Sequence, residues 1–471
     1  MNILTIEAST TSAKAILFNS HTNKYRIHTE AFQRFASNPT LHNPEVVFEK
    51  VTSVAKKVIC EDRVDLISIS GTWHNVFLAE KQYPYKPVMP AYLWSNMEAA
   101  NICSDLRSDK MIVEFFYKKT GCMVNAIYPA FKILLFKEKG YDLKEYLIFD
   151  QGSYMMFQLT DTWLTSDSMA SGTGFMNISD LRYDEEILAY LGIYEEQLPK
   201  IVDYKKTVPL SKIGANILGV DQGIPVIPPC PDGGLNQIGS MAMEEGIMTC
   251  SVGTSGALRL SSNEPKIPKT PSTWCYRSPK AWLSGAAISG ATNCIDWFKG
   301  KMFDETIKYE EIENKINFEI EPPIFLPFLY GERAPGWNDK RSASFNNLNS
   351  SHSKYEMYHS ILVGVLFNLY QNYSILTDMN GDPIKIKLSG GILKSKIWTQ
   401  MCADIFGKEL IVDDIDHASL LGGVILGKEI LGILDNNDED EKNVQKIKPN
   451  MDSHKYYMEL FKTYLYYYNL E

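Results

Sequence analysis

No apolar run in the sequence approaches the roughly 18 residues that a membrane-spanning helix needs. The start, MNILTIEAST, lacks a basic segment followed by an apolar one, so we expect no signal peptide. The eight cysteines are scattered without a CxxC pair, which argues against a disulfide framework or a zinc site. No Lys/Arg run occurs and the formal net charge is −10, which argues against nucleic-acid binding. These absences predict a cytoplasmic protein that binds neither membranes nor nucleic acids.

The chain has the length and composition of a two-domain globular protein. Its 471 residues are too many for a single compact hydrophobic core, and 45% of them are hydrophobic. Strand patterns at 64–71, 223–229 and 384–391 alternate with helical patterns at 128–140 and 355–376. This alternation predicts an α/β protein in which helices cover the sheets.

A short strand–turn–strand pattern rich in Thr and Ser occurs twice. The first copy has apolar strands at 3–6 and 13–18 around the turn STTS, and the second lies within IMTCSVGTSGALRL, near residue 247. The repeat predicts a duplicated fold with one domain at 1–245 and another at 246–471, each opened by its hairpin. A chance match between two short segments is the alternative.

Three turns have the composition of phosphate-binding or nucleotide-binding backbone. The tips STTS and GTSG expose N–H groups and hydroxyls that suit phosphate oxygens, although such clusters also form plain turns. In SGGILKSKIWTQMCADIFG, Gly390 and Gly391 lack side chains, so the backbone can closely approach a base or a phosphate. A simple strand-to-helix connection is the other interpretation of this segment.

The segment ISGTWHNVFL places Trp73 and His74 just beyond a strand end, where α/β folds gather ligand-binding groups. An indole face packs on the apolar face of a sugar, and an imidazole bonds a hydroxyl. The pair therefore favours a carbohydrate surface, with a purely structural role as the alternative.

A single carboxylate stands out in VIPPCPDGGLNQIG. Prolines restrict the chain before Asp232, and Gly233 and Gly234 let it turn sharply afterwards. A kinase that acts on an alcohol needs one base near the acceptor hydroxyl. The alternative is that Asp232 caps a helix starting near Leu235.

Together these segments resemble the FGGY carbohydrate kinases. Nine segments occur in the family's order: EASTTSAKA, GTWHNVFL, LWSNMEAA, KILLFKEKG, LTDTWLTSDSMASGTGF, PDGGLNQIG, SVGTSG, FLPFLYGERAPGWN and SGGILKSKIWTQMCADIFG. The resemblance implies two actin-like (ribonuclease-H-like) α/β domains with ATP and sugar in the cleft between them. It also implies an ATP-dependent sugar kinase that uses Mg²⁺.

The resemblance assigns roles to individual positions. It implies that Asp232 is the catalytic base and that Trp73, His74 and Gly233 bind the sugar together with Asp232. Phosphates would be faced by Thr10, Thr11 and Lys14 from the first domain and by Gly253, Thr254 and Ser255 from the second. The nucleotide would be lined by Gly390, Gly391 and Lys394, and Glu7 would act on Mg²⁺ through water.

The chain departs from the family pattern in ways that bear on the metal and the substrate. The first hairpin has Glu7 and Ser9 where Asp and Gly are usual, and Ile392 follows the SGG turn where a further glycine is common. The tryptophan-x-Asp-x-Arg segment is here Trp94, Asn96 and Glu98, so one charge is reversed.

The reversed charge decides which substrate we expect. PDGGLNQIG and GERAPGWN look most like the gluconate-kinase branch, yet Glu98 near the sugar would repel a carboxylate. We therefore expect a neutral ketose such as L-fuculose or xylulose, with gluconate as the alternative.

Two other functions are also consistent with the sequence. An actin-like or chaperone-like ATPase would share the hairpins, and a catalytically weakened sugar sensor would fit the altered Glu7, Ser9 and Glu98. The sequence leaves the oligomeric state open, a homodimer included. The acidic stretch 435–443 is expected to be a solvated loop without chemistry.

Overall fold

The computed structural model describes residues 1–32, 38–412, 415–433 and 444–470, and the acidic stretch 435–443 lies outside them. The chain divides into two compact units: Met1–Met243, Cys275–Leu283 and Ile415–Asn437 form the first; Glu244–Trp274, Ser284–Asp414 and Asp438–Glu471 form the second. None of the helices in the described ranges is long and apolar enough to cross a bilayer.

The first unit is built on a mixed sheet with seven strands among its described residues. Asn2–Ala8 and Ser12–Asn19 form an antiparallel hairpin, extended by Lys24–Ala31. Leu66–Gly71 pairs parallel with Asn2–Ala8 and is buried along its whole length, Ser68 and Ser70 included, as expected for a strand covered on both faces of the sheet. Beyond it lie the short strands Val208–Pro209, Pro225–Val226 and Cys230–Pro231.

The sheet of the second unit repeats this arrangement. Ile247–Val252 and Gly256–Ser262 form an antiparallel hairpin, and Ile247–Val252 also pairs parallel with Lys385–Ser389. Leu410–Val412 and Lys446–Ile447 continue the sheet beyond Lys385–Ser389. The chain crosses from the second unit into the first within the strand Trp274–Arg277 and returns to the second unit within Trp282–Ile288.

The remaining elements are helices and two-stranded sheets. The two-stranded sheets pair Leu41–His42 with Ala91–Tyr92, Phe77–Glu80 with Tyr146–Phe149, Leu164–Ser166 with Lys200–Val202, Met176–Asn177 with Arg182–Tyr183, and Ile324–Leu326 with Ser344–Asn346. The α-helices of the first unit are Pro44–Ile59, Ala100–Arg107, Lys110–Thr120, Pro129–Glu138, Gln151–Thr160, Asp167–Ser171, Glu185–Leu191, Lys212–Leu218, Asp232–Gly239 and Ala418–Ile430. Those of the second unit are Thr292–Met302, Tyr309–Glu313, Lys354–Asn380, Lys396–Phe406 and Met451–Leu470. Short 3₁₀ helices span Leu143–Glu145, Glu195–Gln197 and Gly391–Lys394.

The predicted α/β class and both predicted hairpins are confirmed. One predicted strand, 223–229, is shorter than expected and reduces to Pro225–Val226. Pro228 and Pro229 follow it, and a proline has no N–H to donate to a neighbouring strand. Pairing with Leu66–Gly71 resumes only at Cys230–Pro231.

Two helices far apart in sequence pack through glycines within the first unit. A Cβ atom at Gly422 would lie 2.0 Å from the Leu235 carbonyl oxygen, and one at Gly239 would lie 1.9 Å from the Ala418 carbonyl oxygen. The helices Asp232–Gly239 and Ala418–Ile430 therefore touch backbone to backbone, which only glycine permits. This contact fixes the helix that begins at Asp232.

Gly422→Ala should destabilise the protein by about 1–3 kcal/mol, because the added methyl group forces the two helices apart. The matched control is Gly300→Ala, also within a helix, where an added Cβ meets nothing within 4 Å. The control should be neutral or stabilising by up to about 1 kcal/mol. Urea denaturation of both variants measures the difference, and equal stabilities would contradict the packing described.

Candidate active site

Asp232 lies where a strand and a helix of the first unit meet. The strand pairing places Pro231 opposite Gly71, so the next residue reaches the loop that follows Gly71. There the Trp73 backbone N–H donates to Asp232 Oδ1 at 3.3 Å, and the Gly233 N–H donates to the same oxygen at 2.8 Å. The helix begins at Asp232, not near Leu235, and its cap is Pro231.

Trp73 and His74 form a stacked aromatic pair beside this carboxylate. Their ring centroids lie 5.9 Å apart at an interplanar angle of 15°. Trp73 Nε1 donates to the Ser168 carbonyl at 3.2 Å, and His74 Nδ1 donates to the Gly172 carbonyl at 2.5 Å. A Cβ atom at Gly172 would lie 2.6 Å from Trp73 Cδ1, so both rings rest on bare backbone.

Two further residues complete the aromatic cluster, and the sequence interpretation missed both. The Tyr276 ring centroid lies 5.0 Å from that of Trp73 and 5.3 Å from that of His74. The Tyr276 hydroxyl shares a 2.6 Å hydrogen bond with that of Tyr128, which is buried. Neither tyrosine belongs to a recognisable motif, so only the fold reveals them.

The next residue in the sequence after Tyr276 is a cation, Arg277. Arg277 donates its backbone N–H to Ser171 Oγ at 3.0 Å, which ties it to the loop that supports His74. Its Nε lies 3.6 Å from Asp167 Oδ2, and its guanidinium carbon lies 5.7 Å from the centre of the Trp282 ring. Burial raises the pKa of Asp167, with Arg277 opposing that shift. The Arg277 guanidinium therefore lies near Asp167 and Trp282, on the strand that carries Tyr276.

The first hairpin presents an ion pair, not an exposed acid. Glu7 is 1% exposed, and its Oε1 accepts from Lys14 Nζ at 2.7 Å. Its Oε2 accepts from Ser70 Oγ at 3.1 Å and also from Ser419 Oγ. Both carboxylate oxygens are thus engaged by neighbouring donors of the first unit.

The tip of this hairpin is held by the LWSNMEAA segment. Trp94 Nε1 donates to Thr10 Oγ1 at 3.1 Å, while Thr11 is exposed. Further along, Glu98 accepts from Asn96 and forms an ion pair with Lys139. Partial burial alone would raise the pKa of Glu98, but the hydrogen bonds with Asn96 and Lys139 together outweigh it, so the pKa is lowered. The charge reversal at Glu98 is therefore compensated locally.

In the second unit the two predicted nucleotide turns lie side by side. Ser251 pairs with Ser389, which brings the GTSG tip next to the SGG turn. A Cβ atom at Gly390, whose φ is +97°, would lie 2.6 Å from the Val252 carbonyl oxygen. One at Gly391 would lie 3.2 Å from Thr292 Cγ2, and Thr292 donates its N–H to the Gly253 carbonyl at 2.9 Å. Bare backbone and the start of the helix Thr292–Met302 meet here, a combination that suits phosphate oxygens.

The structure thus gathers the predicted residues into three sets. The first set comprises Asp232, Gly233, Trp73 and His74. The second shares the first hairpin and comprises Glu7, Thr10, Thr11 and Lys14. The third lies within the second unit and comprises Gly253, Thr254, Ser255, Gly390 and Gly391. Lys394 ends the 3₁₀ helix after the glycines and is exposed. Within the described ranges, no cluster of three or more His, Cys, Asp or Glu side chains could hold a metal ion.

Comparison with known proteins identifies the family. The model of the N-terminal domain of the FGGY family of carbohydrate kinases matches residues 2–239, and that of its C-terminal domain matches residues 248–428. Gluconokinase of Bacillus subtilis (strain 168) is 29% identical over 460 residues, covering 93% of this chain and 89% of the relative.

Solved structures agree in fold along the whole chain. A ligand-bound xylulose kinase and a gluconate kinase, both from Lactobacillus acidophilus, each superpose with a TM-score of 0.92 and 26% identity. Each match covers 100% of this chain and 98% of the neighbour. The two sheet-containing units have the actin-like fold of these kinases, and the alternatives of an ATPase and a sensor are set aside. The chain is an ATP-dependent sugar kinase and belongs to the FGGY family of carbohydrate kinases.

Proposed function

We propose that this kinase phosphorylates a hydroxyl of a small sugar acid of the gluconate type, with Asp232 as the general base. The observation behind the acceptor class is Arg277, the cation that follows Tyr276 on the same strand and whose backbone N–H is hydrogen-bonded to Ser171, next to the Gly172 that supports His74. Gluconokinase of Bacillus subtilis, at 29% identity over most of both chains, supports the same choice.

The first unit supplies the acceptor chemistry. The aromatic faces of Trp73 and Tyr276 suit the C–H groups of an open sugar chain, and His74 suits a hydroxyl. Asp232 takes the proton of the attacking hydroxyl, while the Trp73 and Gly233 N–H groups hold its carboxylate in one orientation. The acceptor oxygen then forms its bond to phosphorus, and ADP leaves.

The second unit supplies the nucleotide site. FGGY kinases use ATP, which provides the phosphoryl group. The bare backbone at Gly253, Gly390 and Gly391 fits close approach by a nucleotide, since side chains there would collide with neighbouring atoms or fill the turn. Thr254 and Ser255 are exposed at the adjoining tip and offer hydroxyls to phosphate oxygens.

Glu7 does not fit the metal role that the resemblance implies. Lys14, Ser70 and Ser419 occupy three of the roughly four acceptor sites of the Glu7 carboxylate. The Lys14 ammonium, 2.7 Å from Oε1, would also repel a divalent cation placed there. We propose that Glu7 instead fixes the position of Lys14, which would face the phosphates. Glutamate places this carboxylate one methylene farther from the backbone than aspartate would.

The charge argument for a neutral ketose weakens once Glu98 is located. That expectation rested on an uncompensated Glu98, and the ion pair with Lys139 supplies the compensation. A neutral ketose of the xylulose or L-fuculose type remains the second candidate. The match to the ligand-bound xylulose kinase, equal to that of the gluconate kinase, favours it.

Asp232→Asn should lower kcat by roughly 10²-fold or more, because the amide cannot accept the acceptor proton. Both KM values should change little, since the amide oxygen can still accept from Trp73 and Gly233. Steady-state kinetics with gluconate and ATP test this, and near-normal turnover would remove Asp232 from the chemistry. An unchanged Tm would show that the variant folds.

Gluconate should give a higher kcat/KM than xylulose or L-fuculose at the same ionic strength. Arg277→Gln should lower kcat/KM for gluconate by about tenfold or more relative to that for xylulose, as expected when a partly buried charge pair is lost. Arg277→Lys keeps the charge and is the matched control, while Glu98→Gln should leave the ratio unchanged. A ketose as the best substrate would replace the gluconate assignment with the second candidate.

Glu7→Gln should raise KM for ATP by roughly tenfold, because Lys14 loses the charge that fixes it. The Mg²⁺ concentration needed for half-maximal activity should stay the same at saturating ATP. ATP titrations of wild type and variant measure KM for ATP, and Mg²⁺ titrations at saturating ATP measure the Mg²⁺ requirement. A variant that needs much more Mg²⁺ would restore Glu7 to a metal role.

A further inference from the structure

One lysine of the first unit is completely buried. Lys132 lies on the helix Pro129–Glu138, and 0% of its surface is exposed. Among the described residues no acidic side chain pairs with its amino group, which instead donates to the carbonyl oxygens of Ala126 and Ile127 at 2.8 and 2.9 Å. Burial lowers the pKa of Lys132 to about 7, but the ammonium and the neutral amine both have enough N–H groups for two carbonyls. Burying an amine without a countercharge is costly, which argues that these two contacts matter to the protein.

The two carbonyls belong to the turn 124–128, which leads into this helix. Within the turn, the Tyr128 N–H donates to the Asn125 carbonyl at 3.2 Å. A second basic side chain holds the start of the turn, because Arg107 Nη1 donates to the Val124 carbonyl at 3.0 Å. Two basic side chains therefore bind three carbonyls of one short segment.

Tyr128, the last residue of this turn, belongs to the aromatic cluster of the proposed sugar site. Its hydroxyl shares the 2.6 Å hydrogen bond with that of Tyr276, and its ring centroid lies 5.1 Å from that of His74 in an edge-on arrangement. Just after the turn, the Ala130 N–H donates to the Thr173 carbonyl at 3.0 Å, next to the backbone that supports His74. The position of the turn therefore determines where the Tyr128 ring and hydroxyl meet the cluster.

We propose that Lys132 is a positioning residue for the sugar acceptor, an inference that rests on the acceptor site proposed above. Its two hydrogen bonds fix the turn 124–128, and the turn holds the Tyr128 ring and hydroxyl against His74 and Tyr276. An apolar side chain of similar length would leave two buried carbonyls without donors, and such groups are costly. The turn would then shift, and the wall of the sugar site would shift with it.

Lys132→Met tests this, because methionine resembles the apolar stem of lysine and removes its donors. KM for the acceptor should rise by about fivefold or more, as the loss of about one net hydrogen bond implies, while KM for ATP stays unchanged. Lys132→Gln, which keeps two N–H donors, should recover part of that loss. The matched control is Lys137→Met on the same helix, which removes a 3.2 Å hydrogen bond to the Leu191 carbonyl and should leave both KM values unchanged. Steady-state kinetics use ATP and whichever of gluconate, xylulose and L-fuculose gives the highest kcat/KM, so the test is independent of the gluconate assignment.

A double-mutant cycle shows whether Lys132 acts through Tyr128. Tyr128→Phe alone should also raise KM for the acceptor, because it removes the hydroxyl that is bonded to Tyr276. When Lys132→Met and Tyr128→Phe are combined, the two effects should not multiply, since both disturb the same contact. Effects that multiply in full would show that Lys132 acts independently of Tyr128 and would overturn the proposal.

Arg107→Met keeps the test decisive if changes at Lys132 disturb folding, which melting curves show. It removes the donor to the Val124 carbonyl from a half-buried position and should raise KM for the acceptor in the same selective way. The proposal is overturned if folded Lys132→Met, or in its place folded Arg107→Met, keeps the wild-type KM for the acceptor, or if KM for ATP rises equally. His74→Ala separates the two levels of the account: if it raises KM for the acceptor while the other variants do not, only this inference fails. If His74→Ala also has no effect, the proposed acceptor site fails with it.

Discussion

The position of Asp232 depends on a two-residue strand. Cys230 and Pro231 pair with Ser70 and Gly71, and this register brings the carboxylate of Asp232 to the backbone N–H of Trp73. A shift of one residue would turn these side chains to the opposite face of the sheet. The stiff proline approach noted in the sequence serves this purpose, because it delivers the chain to the sheet in one conformation.

The helix that follows Asp232 is fixed by a segment nearly 200 residues later in the chain. Ala418–Ile430 packs on it through glycines and also places Ser419 against Glu7. Gly423 lies close to Thr5 of the first strand, where a Cβ would come within 2.5 Å of the Thr5 methyl group. One helix thus links the proposed base, the buried Glu7–Lys14 pair and the first strand of the sheet within a single unit.

The sequence predicts those parts of the site that local chemistry determines. Both hairpins, the Trp73–His74 pair after a strand end and the glycine turn at Gly390 follow from periodicity and turn composition. The family resemblance adds their order and their roles. The glycine turn and the GTSG tip do lie together, because their strands are neighbours in one sheet.

The sequence does not predict contacts that only tertiary packing creates. Tyr276 contacts His74 from about 200 residues away, and the Arg277 N–H donates to Ser171 Oγ; neither residue lies in a motif. In the sequence Glu98 has no neighbouring cation, because Lys139 lies 41 residues further along and no pattern connects the two.

The most direct measurement of the central claim isolates the chemical step. Rapid-quench single-turnover experiments with excess enzyme, gluconate and ATP measure phosphoryl transfer without product release. The account predicts that Asp232→Asn slows this step by at least about 10²-fold while the bound amounts of both substrates stay unchanged. Transfer at the wild-type rate in the variant would contradict the role of Asp232 as the base.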